Sequence, residues 1–333
     1  MTNAAVLGEV LTDTPTGELV AAVSAALDEP GWLLKHRLAA LSAYHALQWP
    51  SGQEEEWRRT PMTDVPLERY RLPLNGQSGT DEGASPVSLD ALRVDQRGGL
   101  VEHLDDSVTR AEIAAELNDR GVLLLPLSTA AREHEELVRQ HLNSVVPYAD
   151  DRFAALSGAL WSQGLFCYVP RNVVVEPTLV HRLGKSTGGR GLFGHTLVVA
   201  EDGASVTLLE AAASDDAESP SFCQRTVEVI VKDNAQVRLV GLQRWGNDVH
   251  SFVTERARLG HDAKVLLASV AFGGALSKER IEVVLAGDGS NADLIALFVG
   301  GGQQHIEYNT RQDHLGVGSS SDLLIKGVLT GQA

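Results

Sequence analysis

Cysteine is scarce in this sequence, which has only Cys167 and Cys223 in 333 residues. Two cysteines cannot build the disulfide framework of a small secreted protein, and they lack the CxxC spacing that is typical of thiolate metal sites. Free cysteine is among the most buried residue types. We therefore interpret Cys167, within the apolar string Leu165–Val169, and Cys223 as structural residues of strands.

Basic clusters and long apolar runs are also lacking. The net charge of −16 disfavours binding to nucleic acid or to an anionic membrane. No run of eighteen apolar residues occurs, and the N-terminal residues lack the basic and apolar regions of a secretory signal. Together with the few cysteines, these features predict a protein of the reducing cytoplasm.

The motifs of common enzyme classes are missing too. The sequence has no HExxH pair and no HxE…PCxxC set. The string GKSTGG at Gly184–Gly189 is not a P-loop, because Leu179 stands where that motif needs its first glycine. We assign no catalytic residue, and the sequence gives no positive argument for an enzyme.

Helical periodicity dominates the first part of the chain. Residues 17–47 have the pattern of two helices interrupted at Asp28–Gly31, so residues 1–74 are predicted to form a small helical N-terminal domain. Residues 75–118, which begin with a stretch rich in Gly, Ser and Asp, are predicted to be a mobile loop or linker. Residues 119–163 are predicted to be a mixed α/β segment.

From residue 164 onward, short strand-like blocks follow one another without a long helix between them. Six turn dipeptides separate them, and the second residues of these turns lie 31, 31, 28, 27 and 29 residues apart. These second residues are Asn172, Gly203, Asn234, Asp262, Gly289 and Gly318. The strands that follow are predicted to begin at Val173, Ser205, Gln236, Lys264, Ala292 and Ser320. Such a period is typical of a solenoid, in which each coil buries its apolar face against the next.

A parallel β-helix suits a repeat that is made only of strands. A propeller needs about 40 residues or more per blade, and the turns of a β-sandwich recur about every 8–12 residues. We therefore predict a mainly β protein with a parallel β-helix over residues 164–333, preceded by the small helical domain. The sequence ends directly after a strand, without the polar cap of a solenoid, so we expect that its natural C-terminus is missing.

The polar string QQHIEYNTRQDHLG contains the most notable ligand-type residues. His305 and Glu307 are two residues apart, so they are expected to project to the same face of a strand. With Asp313 and His314 they could bind iron or zinc, or they could form the polar outer face of one coil. The sequence favours the outer face, and the metal ligands stay unknown.

Several strings resemble the SufB/SufD family of iron–sulfur cluster assembly proteins. They include EPGWLLKHRLAALSAYHAL, GVLLLPLSTAAREHEELV, TLVVAEDGASVTLLEA and QQHIEYNTRQDHLGVGSSSDLLIKGVL. The similarity covers most of the chain other than residues 75–118. It implies a right-handed parallel β-helix after a helical N-terminal domain, in agreement with the repeat.

The resemblance also implies a bacterial, non-catalytic scaffold that builds iron–sulfur clusters beside a SufB-like paralogue and a SufC-like ABC-type ATPase. It implies no cofactor in this chain alone and a transient iron–sulfur cluster in the full complex. Pairing is expected through strands late in the β-helix, and a homodimer of the isolated chain is left open. The ATPase is expected to dock on a C-terminal helical domain that this sequence lacks. We hypothesise that His305, Glu307, His314 and Lys326 face the partner.

The SufD form of the family fits better than the SufB form. SufB-type chains carry a cysteine after an FVTxRA string, whereas this chain has Leu259 after Phe252–Ala257. A leucine can neither ligate iron nor carry persulfide sulfur. His195, where related chains often have arginine, is a smaller departure. Two alternatives stay open: a β-helical carbohydrate-active enzyme, for which the aromatic content of 5% is low, and a solenoid without metal chemistry.

Overall fold

A computed structural model describes residues 11, 14–60, 65, 67–73 and 97–333. The helices in these ranges are α1 (Gly17–Ala26), α2 (Gly31–Ala46), α3 (Ala115–Asp119), α4 (Leu127–Glu133), α5 (Glu135–His141) and α6 (Arg152–Leu160), with 3₁₀ turns at Glu55–Trp57 and Leu67–Arg69. None of the helices in the described part of the chain has the length and apolar character needed to cross a membrane.

Local signals explain where the first two helices begin and end. The Thr16 hydroxyl accepts a hydrogen bond from the Leu19 backbone N–H at 3.2 Å, which caps α1. Asp28 has a φ of 51°, which is incompatible with helix, and Pro30 is the N-cap of α2. The predicted interruption between two helices is therefore confirmed.

The same described ranges contain fifteen strands. They are β1 (Gly99–Leu104), β2 (Ser107–Ile113), β3 (Leu123–Pro126), β4 (Gln163–Val169), β5 (Leu179–Gly184), β6 (Gly191–Ala200), β7 (Ser205–Ala213), β8 (Ser221–Val231), β9 (Gln236–Arg244), β10 (Val249–Leu259), β11 (Lys264–Ala271), β12 (Leu276–Leu285), β13 (Asn291–Gly300), β14 (His305–His314) and β15 (Ser320–Leu329).

Each coil contributes one strand to each of two sheets. The even-numbered strands from β4 to β14 pair in parallel in a seven-stranded sheet, and β3 lies antiparallel on β4. The odd-numbered strands from β5 to β15 pair in parallel in an eight-stranded sheet. In this sheet β1 pairs in parallel with β5, and β2 pairs antiparallel with β1 at the edge. About six turns result. The predicted parallel solenoid is confirmed, and a sandwich of antiparallel sheets is excluded.

Every coil turns between its two strands at a residue with left-handed backbone. Positive φ angles of 51–69° occur at all six predicted turn residues: Asn172, Gly203, Asn234, Asp262, Gly289 and Gly318. Gly, Asn and Asp are the residues that adopt this conformation most readily. Successive corners are joined by backbone hydrogen bonds, such as the one from the Asn234 N–H to the His261 carbonyl at 2.7 Å.

Side chains alternate between the solenoid interior and its outer faces. The interior is mostly apolar, with residues such as Val229, Ala257 and Leu285. Outward side chains of the seven-stranded sheet, among them Phe193 and Phe222, pack with α1, α2 and α6 in a separate apolar core. The helices therefore form a layer over the outer face of this sheet.

A buried carboxylate fastens the helical layer to the sheet. Glu228 on β8 is 0% exposed and accepts hydrogen bonds from the backbone N–H groups of Asn143, Val145 and Val146, at 2.7–2.9 Å. Nε2 of His195 lies 2.8 Å from the same carboxylate. Since these N–H groups belong to the loop between α5 and α6, Glu228 satisfies buried donors and positions α6 at once.

Two sequence predictions are wrong in part. The loop predicted over residues 75–118 includes β1 and β2, and β1 pairs with β5, which lies far along the chain and leaves no local signal. Residues 75–96 lie outside the described residues. The strand predicted from Val173 is reduced to a single bridge between Val174 and Ser205, and β5 begins at Leu179 instead.

Gly289→Ala is expected to destabilise the protein more than Gly318→Ala. The two glycines have φ angles of 69° and 68°, so each alanine carries a similar backbone penalty of about 1–2 kcal/mol. A methyl group on Gly289 would lie 2.3 Å from Oδ1 of Asp262, whereas nothing lies within 4 Å of one on Gly318. We expect the clash to lower the free energy of unfolding by a further ~1–3 kcal/mol, measured by urea denaturation. Equal losses would contradict the tight stacking of the corners.

Candidate functional site

Two of the proposed partner residues, His305 and Glu307, lie together at the start of β14. Both project outward from the seven-stranded sheet, and Nε2 of His305 is 3.7 Å from Oε2 of Glu307. The Thr60 hydroxyl donates a hydrogen bond to Glu307 and lies 3.1 Å from Nε2 of His305. The prediction that these two side chains share one face is confirmed.

Lys278, on the neighbouring strand β12, pairs with Glu307. Its Nζ lies 2.7 Å from Oε1 of Glu307, donates to the Glu56 carbonyl and sits 4.5 Å from the centre of the Trp57 ring. Burial lowers the pKa of Lys278, and Glu307 opposes this. Burial alone would raise the pKa of Glu307, but Lys278 and Thr60 lower it. The cluster therefore ties the segment from Glu56 to Thr60 to the last two coils.

The other two proposed partner residues lie elsewhere on the last coil. His314 is at the far end of β14, where its ring nitrogens are 2.9 and 3.0 Å from the hydroxyls of Ser319 and Ser321. Lys326 is exposed on β15. An extended strand of this length separates His305 from His314 by about 30 Å. The two histidines therefore cannot bind one metal ion, and that part of the ligand hypothesis is wrong.

Neither cysteine is accessible as a metal ligand. Cys167 on β4 and Cys223 on β8 are 0% and 1% exposed, and burial raises the pKa of each thiol to about 12. Both are free thiols, and their predicted burial in strands is confirmed. In the ranges that the structure describes, no group of three or more His, Cys, Asp or Glu side chains is arranged to hold a metal ion.

A charged groove of about 570 Å³ lies between the α5–α6 loop and the outer faces of β10, β12 and β14. Arg256 on its floor pairs with Asp150 at 2.6 Å and with Glu282 at 2.5 Å. Arg280 pairs with Asp151, which is the N-cap of α6. These ion pairs hold the loop against the sheet. Because four arginines and five carboxylates line the groove, it has mixed charge and no bias toward anions.

The solenoid interior contains a row of polar side chains that we did not predict. Nε2 of His181 lies 3.3 Å from Nδ1 of His103, and Nδ1 of His181 lies 2.9 Å from Oε2 of Glu210. Arg225 pairs with the other oxygen of Glu210. Burial alone would raise the pKa of Glu210, but Arg225 and hydrogen bonds from His181 and Thr196 lower it to about 2. Burial, assisted by His181, lowers the pKa of His103 well below its usual value.

Two more glutamates continue this row beyond Arg225. Glu255 and Glu279 line an interior cavity of about 10 Å³, which is about the space of one water molecule. Ser269 donates a hydrogen bond to Glu279 at 2.5 Å. Burial is the main cause that raises the pKa of Glu255 to about 8, followed by the charges of Glu279 and Glu210. Burial also raises the pKa of Glu279. Glu255 is therefore mainly a neutral carboxylic acid at pH 7.

The signal that would have revealed this row is the two-residue period of the strands. Glu210 has the same parity as the inward residues Val206 and Leu208 of β7, and Glu255 shares the parity of Val253 and Ala257. Alternate residues of a strand lie on the same face. Assigning the parity of every charged residue in a strand would therefore have placed these carboxylates inside the solenoid.

Two family models match adjoining parts of the chain. Residues 25–180 match the SufBD protein N-terminal region, and residues 182–333 match the SufBD core domain of SUF system FeS cluster assembly. Similar proteins include iron–sulfur cluster assembly SufBD family proteins of Staphylococcus saprophyticus (26% identical), Staphylococcus epidermidis (27%) and Staphylococcus haemolyticus (28%). Each alignment covers 94% of this chain and 68% of the relative. The names of these relatives refer to iron–sulfur cluster assembly, and none of the three refers to a carbohydrate-active enzyme.

Glu255→Gln is expected to make stability less dependent on pH. The pKa of about 8 in the folded state exceeds the reference value of 4.5, so the folded protein keeps a proton that the unfolded chain releases. The resulting stabilisation is complete below pH ~4.5 and is lost as the pH rises to about 8. Glutamine does not ionise. From pH 5 to pH 8, the free energy of unfolding of wild type should therefore fall by at least about 1.4 kcal/mol more than that of the variant.

Urea denaturation at the two pH values measures this change, and Glu176→Gln at an exposed position is the matched control. A difference between Glu255→Gln and wild type that stays constant with pH would contradict the neutral state of Glu255.

Proposed function

Because this chain belongs to the SufBD family of iron–sulfur cluster assembly proteins, we propose that it is a SufD-like, non-catalytic scaffold subunit. In this proposal it pairs with a SufB-like chain, while a separate SufC-like ATPase drives assembly on the complex. The nascent cluster passes through the complex as its product and is not a resident cofactor of this chain. The reducing cytoplasm is the proposed location.

The burial of both thiols is the observation that carries the scaffold role. Iron–sulfur clusters are held mainly by thiolates, and thiols with a pKa of about 12 stay protonated at neutral pH. Leu259, directly after the string that would precede a cysteine in a SufB-type chain, is 1% exposed between Val231 and Leu285. The SufB-like chain is therefore proposed to supply the cysteine ligands.

The pairing part of the proposal concerns the late strands β14 and β15, which lie next to β12 and β13. Pairing between strands of two chains, through backbone N–H and C=O groups, is a common mode of protein recognition.

The four proposed partner residues are expected to differ in their roles. The His305 side chain is 40% exposed, and His314 and Lys326 are also exposed, so all three can contact a partner. The Glu307 side chain is only 13% exposed and neutralises Lys278. Glu307 is therefore proposed to position the edge of the last coil, and the other three residues to touch the partner.

Replacing both cysteines by alanine should leave cluster assembly unchanged. The Cys167→Ala/Cys223→Ala variant, co-expressed anaerobically with the SufB-like chain and the ATPase, should yield a complex with the wild-type content of iron and sulfide. Thiol titration of the isolated chain is the control, and it should detect no reactive thiol before unfolding and two after it. A loss of iron and sulfide in a variant that folds and assembles normally would show that this chain supplies thiolate ligands.

The double variant His305→Ala/His314→Ala should weaken binding to the SufB-like chain. Both rings are on the last coil, so their loss should raise the dissociation constant by about tenfold or more, or ~1.4 kcal/mol. Calorimetry with the purified SufB-like chain measures this change. His261→Ala, at an exposed corner away from β14, is the control and should bind normally. Wild-type affinity of the double variant would remove these residues from the interface.

A further inference from the structure

The outer face of the eight-stranded sheet carries an apolar stripe. We define the stripe by five outward side chains of three neighbouring strands, Val240, Leu242, Val270, Ile295 and Leu297, together with Phe272, which directly follows β11. Phe272 and Leu297 are 48% and 40% exposed, and the other four are partly exposed. Contiguous exposed apolar surface of this kind marks interaction sites in proteins.

The strand register makes the stripe continuous along the solenoid axis. Leu242 lies opposite Val270, which lies opposite Leu297, so one row crosses β9, β11 and β13. Leu209 on β7 and Leu324 on β15 extend the neighbouring row by one strand at each end. Three rows over five strands span about 14 Å by 19 Å.

The two sheets of the solenoid differ in what covers them. On the outward face of the seven-stranded sheet, Phe193 of β6 and Phe222 of β8 are 0% exposed beneath the helical layer. The apolar stripe has no comparable cover from the described helices, since its residues stay partly or largely exposed. Among the described residues, helices therefore cover part of one face of this solenoid and leave the apolar stripe on the other face exposed.

The dimensions of the stripe distinguish two possible binding partners, a second copy of this chain and a single helix. Its area is about 300 Å², well below the ~800 Å² that each partner buries in a stable protein–protein interface, so a face-to-face dimer is not favoured. A helix is about 10–12 Å wide, and about 13 of its residues span 19 Å. One amphipathic helix, lying across the strands, therefore matches both dimensions.

The charges that border the stripe favour a protein over a lipid surface. Arg238 and Arg244 lie at the β9 end, whereas Asp293, Asp322 and Lys326 lie at the β13 and β15 end, with Lys326 directly opposite Leu297. The second end therefore carries both signs, and the border offers an anionic membrane no continuous basic surface. A helix with charged residues of both signs beside its apolar face can satisfy both ends.

We propose that the apolar stripe is the docking surface for an amphipathic helix of a partner protein. The helix lies across β9, β11 and β13, with an apolar face of about 13 residues and acidic flanking residues near Arg238 and Arg244. This inference does not depend on the proposed function, because it specifies the shape and chemistry of the partner and not its activity.

The test places a photo-crosslinking amino acid at Leu242 or Leu297 of the full chain in its native cells. These positions are about 10 Å apart, which corresponds to about seven residues of a helix. We expect both to crosslink to one helix of one protein, at apolar residues about seven positions apart. The control position is Lys264, an exposed polar residue of β11 on the same face. Mass spectrometry of the products identifies the linked residues.

Crosslinks from both positions to another copy of the chain, to the chain itself or to lipid alone would overturn the proposal, as would no crosslink.

A second variant, Val270→Asp, lies between the two probes in the same row. It should reduce both crosslinks by about tenfold or more, the effect of about 1.4 kcal/mol, without changing the melting temperature, whereas Lys264→Asp should not. Undiminished crosslinking by the folded Val270→Asp variant would also overturn it. Crosslinks to a helix of a protein unrelated to cluster assembly would support the docking surface and count against the proposed function.

Discussion

Backbone hydrogen bonds between successive corners hold the coils of the solenoid in register. The first five corner residues with positive φ, such as Asn234 and Asp262, each donate their N–H to a carbonyl of the next coil. Since every corner is stacked on another, the two sheets keep the same register over all the coils. Inward and outward side chains then fall into straight rows. The apolar core, the interior carboxylates and the apolar stripe are all rows of this kind.

The helical layer outside the solenoid and the solenoid interior use buried charge differently. On the outside, Glu228 is matched by three N–H donors and His195, so a fully hydrogen-bonded carboxyl group fixes the helical layer in place. On the inside, Glu210 is matched by Arg225, but Glu255 has no comparable cation and keeps its proton. The interior row is therefore held together partly by ion pairs and partly by neutral acids.

Much of this architecture could be predicted because it depends on local chemistry. The corners need Gly, Asn or Asp at a fixed period, and those residues stand at all six predicted positions. What could not be predicted depends on contacts between distant segments. The pairing of β1 with β5 and the contact of Thr60 with His305 and Glu307 leave no pattern in the sequence. Of the proposed site, the shared face of His305 and Glu307 was predictable from strand periodicity, whereas their pairing with Lys278 required the structure.

The scaffold role rests on the chain being one member of a larger assembly. Anaerobic purification of the tagged chain from its native cells, followed by identification of bound proteins and analysis of iron and sulfide, tests this most directly. The account predicts that a second SufBD-family chain and an ABC-type ATPase are recovered in fixed proportion, and that iron and sulfide are found in this complex but not in the isolated chain. Recovery of the chain alone at low ionic strength would contradict the account.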